Sequence, residues 1–365
     1  MGKTRLAYGN RSLAALGIMA ALTQGYHPLA LICMIYGQTA GWLLGLLAGC
    51  LAALLLWPVA LLLRRVPGAD LMDLVHMAFG KPGAILYAML LAATLTFSSG
   101  MILRETSEMA IAAVFPHTPQ TFATTGLLLA AVYVAWSDNV GLVRIGRVLM
   151  PILLLSILFV MAGAIGWGRV QHLAPFWGPG PLPLLTAALP SAALIAPAVL
   201  MPMLAGDVSD RRHLVAWMTA VPILIGLALA VEKALMGMVF PYPVSLHITY
   251  PLHAAARIIL GGRFFERMEG LWLFVWVSST AALIGALLHA GARALSQAFG
   301  MRRHTVAVLP LAAVVLTIAF FSDNQADTIM VHQAAAPAVT AVALVLPAAV
   351  AAVAAWRHRG RFHAP

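Results

Sequence analysis

Glu232 and Lys233 stand side by side in an otherwise apolar stretch over 214–238. A charge at such depth is costly and marks either a pathway or a paired structural site. Neighbours on a helix point about 100° apart, so each is expected to find its partner on another helix, lining or coupling to a site. Arg104 and Glu108 close the apolar run over 83–103 and lie four residues apart, a spacing that pairs them on one helix face. Glu266 and Arg267, with Glu269, open the run over 270–292. Acids there suit the helix dipole, and Trp272 suits the aromatic belt at the membrane surface. Trp276 and Ser279 lie deeper, one turn apart, and are candidates to face a central cavity. In the third run Thr94, Thr96, Ser98 and Ser99 offer hydroxyls of the kind that hold helices together. Ser98 is kept among them as a candidate binding contact.

These residues need elements to position them, and two breaks supply the positions. In the first run, Gln24-Gly25-Tyr26-His27-Pro28 interrupts a helix: glycine loosens the backbone and proline removes a donor. In hydrocarbon such a break persists only when buried in protein or lining a wet cavity. His27 is the one ionisable group beside it, able to bind a substrate, respond to pH or satisfy freed carbonyls. A second break spans Pro190 to Pro202. Paired interruptions in corresponding positions of two halves point to a transporter-type site near the membrane midplane.

Composition agrees. Hydrophobic residues make up 62%, charged residues 9%, and mean hydropathy is +0.93, the profile of a polytopic membrane protein. Ten spans are expected, at roughly 13–35, 42–63, 83–103, 121–137, 148–167, 184–205, 214–238, 270–292, 305–321 and 334–356. The fold class is therefore all-α integral membrane, in a single domain over 1–365. Placing the N-terminus inside puts 16 of the 22 Lys and Arg on the inner side, so both termini are expected in the cytoplasm. That asymmetry accounts for the formal charge of +10 without a nucleic-acid partner. Breaks in spans one and six divide the chain into a first repeat at about 12–167 and a second at about 183–356. An odd span number inverts the second repeat. No small-residue cleavage site follows the first run, so no removable signal peptide is expected. Walker, HExxH and GxSxG patterns are missing, and Cys33 and Cys50 form no CxxC or Cys/His cluster. No catalytic residue, metal or cofactor is assigned.

Several short motifs, in order, resemble one family. Leu103-Arg104-Glu105-Thr106-Ser107-Glu108 is followed by Pro116-His117-Thr118-Pro119. Gly141-Leu142-Val143-Arg144-Ile145-Gly146-Arg147 opens the fifth span, and Phe264-Phe265-Glu266-Arg267-Met268-Glu269-Gly270-Leu271-Trp272 precedes Trp276. From about residue 12 to residue 355 the chain resembles the permease-like B subunit of spore-germination nutrient receptors, the endospore germination permease family. That family belongs to the amino acid/polyamine/organocation superfamily. The resemblance implies a five-plus-five inverted repeat with discontinuous, unwound helices 1 and 6. It also implies a subunit that binds a small germinant, typically an amino acid, and works with A-type and lipoprotein C-type subunits to trigger germination. Backbone groups at the two breaks would hold the substrate, here Gly25, Tyr26 and His27 with Ile195, Ala196, Pro197 and Ala198. The chain departs from the family at Ala40 and Gly41, where an acid often precedes the tryptophan opening the second span, and in the bulk of its first break. An autonomous amino-acid transporter driven by protons or sodium is the alternative; only Ser191 lies near the second break, which disfavours sodium.

Overall fold

Prolines and glycines set where the helices of this chain stop, bend or tighten. A computed structural model describes residues 7–114, 116–258 and 268–357. The described residues fold into helices α1 (Asn10–Gly25), α2 (Leu31–Gly37), α3 (Gly41–Arg65), α4 (Leu71–Ala113), α5 (Gln120–Ala135), α6 (Asn139–Ala164) and α7 (Pro181–Ser191). Helices α8 (Leu200–Leu204), α9 (Leu214–Val239), α10 (Pro251–Ile258), α11 (Met268–Phe299), α12 (Thr305–Ala319), α13 (Gln325–Thr340) and α14 (Leu346–Arg357) follow. Seven segments are long and apolar enough to cross a membrane, and α5 and α12 are shorter apolar helices. With α1–α2, α7–α8 and α13–α14 each read as one interrupted pass, the described helices make ten passes.

Helix α4 is longer than expected from sequence, starting before residue 83 and ending after residue 103. Asp70 caps it, accepting from the Met72 and Asp73 amides while Asp73 returns a bond to the Asp70 amide. Gly80, at φ +69°, breaks it internally, a conformation that a residue with a Cβ rarely takes. The last pass also begins earlier than expected, at Gln325, where Asn324 caps α13. Before Pro347 its ladder widens into a π-turn over Ala341–Val345, and the Val342 carbonyl there accepts the Tyr87 hydroxyl at 3.3 Å.

Packing follows a five-helix exchange. Helix α3 packs on α9 and α4 packs on α11. The contact of α1 with α6 is answered by α7 with α13, that of α5 with α11 by α12 with α4, and that of α1 with α9 by α7 with α3. Each contact within or between the halves thus has its counterpart one repeat along the chain, the pattern of an inverted repeat.

The α3–α9 seam depends on small residues. A Cβ on Gly226 would sit 2.7 Å from the Gly49 Cα, and one on Gly49 would sit 2.7 Å from the Pro222 carbonyl oxygen. These contacts are backbone against backbone and cannot yield by rotating a side chain. Gly226→Leu is expected to destabilise the bundle by about 3 kcal/mol, near the top of the overpacking range. A thermal melt of the detergent-solubilised variant, followed by size exclusion, reads this directly.

Candidate functional site

The first break is built by Pro28. Proline disfavours a helical residue before it, and His27 accordingly adopts φ −80°, ψ 162°. The chain re-enters a helix through the 3₁₀ turn Pro28–Ala30. The amides of Tyr26 and His27 donate to the Thr23 and Gln24 carbonyls at 3.2 Å each, closing the end of α1. Tyr26 and His27 then line a narrow recess whose cavity volume is about 20 Å³. Met34 and Leu31 extend its wall from α2, Met236 and Phe240 come from the end of α9, and Ser245 and Thr249 from the segment that follows.

Glu232 and Lys233 face this recess. Lys233 Nζ lies 2.8 Å from Glu232 Oε2, with side-chain exposures of 5% and 1%. The expectation that each would pair on a different helix is corrected. The four-carbon lysine stem spans the angle between neighbours, and the two charges form an ion pair inside the bundle, while the Glu232 carboxylate oxygens keep no hydrogen-bond partner among the described residues.

Behind the recess, His27 enters a second, fully enclosed group. His27 Nδ1 lies 3.2 Å from Glu105 Oε2, and His332 Nδ1 lies 2.8 Å from Glu105 Oε1. On its other side the His27 ring meets Thr280 Oγ1 through Nε2 at 3.3 Å and the Trp276 ring at a centroid distance of 4.8 Å. Three passes, α1, α4 and α13, thus meet on one carboxylate. Neither Glu105 nor His332 was singled out from sequence, because both fell outside the expected spans ending at 103 and starting at 334. The available signal was an acid and a histidine within one turn or so of apolar runs.

Tyr250 covers this group. Its hydroxyl donates to the Glu105 backbone carbonyl at 2.6 Å and accepts from Gln325 at 2.8 Å, and its ring lies edge-on to Trp276. Burial pushes its phenol well above the ordinary value, with Glu105 and Glu108 adding to the effect, so it serves as a neutral donor. Tyr250 leads into α10, whose Leu252, Ala255 and Ala256 are buried against the bundle.

The remaining expected site residues are placed as follows. Gly25 packs on α9, where a Cβ would lie 2.3 Å from Leu229 Cδ2, and it does not line the recess. Ile195, Ala196, Pro197 and Ala198 sit in a 3₁₀ stretch over Ala192–Val199, buried against α1 and α3. The sixth pass is therefore interrupted but not unwound: Pro190, Pro197 and Pro202 each delete a donor, and the chain tightens to i→i+3 bonding instead. Ser98 is buried in α4 away from the recess. Ser279 turns its hydroxyl to the Val275 carbonyl at 2.9 Å, and Thr280, one residue on, faces His27. Trp272 is buried and stacks on Trp276 at 5.7 Å instead of standing in a surface belt. Arg104 pairs with Glu108 and also donates to the Ala319 carbonyl at 3.4 Å, anchoring α4 to α12. Glu266 and Arg267 lie outside the described residues.

The end of the bundle where α1 begins is tied by a polar network. Arg293 reaches Asp70 at 2.9 Å, joined there by Gln297 at 2.6 Å. His289 and Asp207 both contact Asn139. Arg211 donates to the carbonyls of Leu63, Val66, Ala69 and Ala205 at 2.5–3.1 Å, gathering the ends of α3 and of the sixth pass on one guanidinium. Charge-assisted bonds of this kind are the stronger class. Arg211→Ala is expected to cost about 3 kcal/mol, and Arg211→Lys to restore only part of it because an ammonium lacks the planar fork. Thermal stability of the two variants checks the order.

The sequence profile of a family described as "Spore germination protein" matches residues 14–328. No curated protein matches the chain. Among solved structures, the chain is similar to Mhp1, a nucleobase-cation-symport-1 family transporter seen closed with bromovinylhydantoin bound. That pair shares 16% identity over 92% of this chain and 78% of the other, with a TM-score of 0.67. A manganese transporter of Eremococcus coleocola shares 17% identity over 95% and 80%, at 0.59. MhsT in complex with L-phenylalanine shares 13% over 96% and 90%, at 0.57. At these identities the likeness is one of fold.

Proposed function

The chain belongs to the spore germination permease family, and from that premise we propose that it is the nutrient-binding, permease-like subunit of a germinant receptor. Its ligand is a zwitterion, an amino acid, held in the recess beside the first break. One observation carries this reading: the recess is lined by a carboxylate and an ammonium, Glu232 and Lys233, 2.8 Å apart and shielded from water. A ligand with its own carboxylate and ammonium can exchange partners with that pair, so the desolvation of the protein charges is met in both states. Met34, Leu31, Met236 and Phe240 offer an apolar surface to the rest of the molecule.

The other parts of the proposal follow from the family and from charge. The first repeat runs over about 12–167 and the second over about 183–356, with Tyr26 and His27 at the break of the first. The tied end of the bundle faces the cytoplasm with both termini, because Arg64, Arg65, Arg144, Arg147, Arg302 and Arg303 cluster there. In the spore inner membrane, A-type and lipoprotein C-type subunits read the change in helix arrangement when the recess fills.

Binding and accumulation of radiolabelled amino acids, measured side by side on protein in liposomes with and without the A- and C-type subunits, test the reading. Saturable binding without accumulation is expected. Accumulation driven by a proton or sodium gradient would instead assign an autonomous transporter, and no binding in either preparation would remove the recess as a ligand site.

A further inference from the structure

We propose that His27, Glu105 and His332 form a binding site for one exchangeable proton, tying the first-helix break to α4 and α13. The three side chains are buried, at 0%, 0% and 1% exposure. Two neutral imidazoles and one carboxylate sum to −1, a net charge that burial disfavours unless a counter-charge lies within reach.

Among the described residues, the neighbouring groups do not supply one. Arg104, on α4, is engaged by Glu108 and the Ala319 carbonyl. Lys233, on α9, is engaged by Glu232. Tyr26 beside His27 and Tyr250 above Glu105 are phenols, the latter donating to the Glu105 backbone, and the His253 ring lies tilted against Trp272, centroids 5.8 Å apart. One additional proton brings the group to neutrality from within. Each imidazole presents Nδ1 to a different carboxylate oxygen, so either ring can carry that proton as an imidazolium paired to Glu105. The two nitrogens do not converge on a common point, which is the geometry of a shared acceptor and not of a metal ligand set.

The carboxylate is thereby the hub and the proton the clasp. With the proton bound, His27 and His332 are both drawn to Glu105, and the break is held against α4 and α13. With it released, the desolvation cost of an unbalanced buried charge is relieved only by separating the three passes or admitting water. The site stands whether or not the recess takes an amino acid.

The test uses the full chain in nanodiscs, without ligand, labelled with ¹⁵N-histidine so that imidazolium and neutral rings give separate signals. Difference spectra against His27→Gln and His332→Gln assign the two rings. In the wild type these rings together are expected to carry one proton beyond neutrality and to lose it in a single shared step as pH is raised across the range in which the protein stays folded. In Glu105→Gln, which keeps the shape but removes the charge, both rings are expected to stay neutral throughout. Should that variant not fold, His332→Gln serves instead, with the imidazolium expected to localise on His27. Two neutral rings across the range in the wild type, an imidazolium unchanged by Glu105→Gln, or a neutral His27 in His332→Gln would each overturn the proposal.

Discussion

Lys233→Met is expected to abolish amino-acid binding, lowering affinity by roughly 100-fold or more. The loss of a charged hydrogen-bond partner for a ligand carboxylate costs about 3 kcal/mol. The single substitution also strands Glu232, 1% exposed, without its counter-charge, and breaking a buried pair destabilises by about 3–5 kcal/mol. The double variant Glu232→Gln with Lys233→Met separates the two effects. It removes both charges at near-constant shape, so its stability is expected to return close to wild type while binding stays lost. Melting curves and binding isotherms on the same four proteins read this cycle. A double variant that regains stability and also binds would mean the pair is a packing feature of α9.

Glu105→Ala carries the second large effect, on stability. Removing this carboxylate leaves His27 and His332 buried without their shared acceptor and opens a cavity where α1, α4 and α13 meet. The expected loss is about 3–5 kcal/mol, in the range for a broken buried pair, and should lower the yield of folded protein from detergent. Arg104→Ala, on the same helix, breaks a pair nearer the end of the bundle, with side chains 11% and 15% exposed. Its effect is expected to be smaller, about 1–3 kcal/mol, because the stranded Glu108 lies closer to water than Glu105 does. Equal losses in the two variants would place the stability of α4 at its end and not at its meeting point with α1 and α13.

The fold was readable because its determinants are local. Pro28 and the prolines from 190 to 202 mark the interrupted passes, and apolar length counts the rest. The site was only half readable, since it depends on which helices meet. His27 and the Glu232–Lys233 pair were visible as charges at depth. Glu105 and His332 were not, because hydropathy ends a span where polar residues begin, whereas the Asp70 and Asn324 caps and continued helical pairing carry α4 and α13 further. Side-chain reach was the other gap. A 100° angle between neighbours separates two short side chains, but a lysine stem closes it. The second break was legible as a break and not as its outcome, because the same prolines permit unwinding or a 3₁₀ ladder, and close packing of α1 and α3 on Ala192–Val199 favours the compact one.

The claim that most needs testing is recognition of a zwitterion at the Glu232–Lys233 pair. The direct measurement is a set of equilibrium binding isotherms on the liposome-reconstituted receptor. They compare one amino acid that binds with its carboxamide, which lacks the negative charge, and its N-acetyl derivative, which lacks the positive one. Each derivative is expected to bind about 100-fold more weakly or worse, since each leaves one buried protein charge unmatched. Equal affinity for all three would contradict the account, because a site indifferent to both charges cannot be built on that pair.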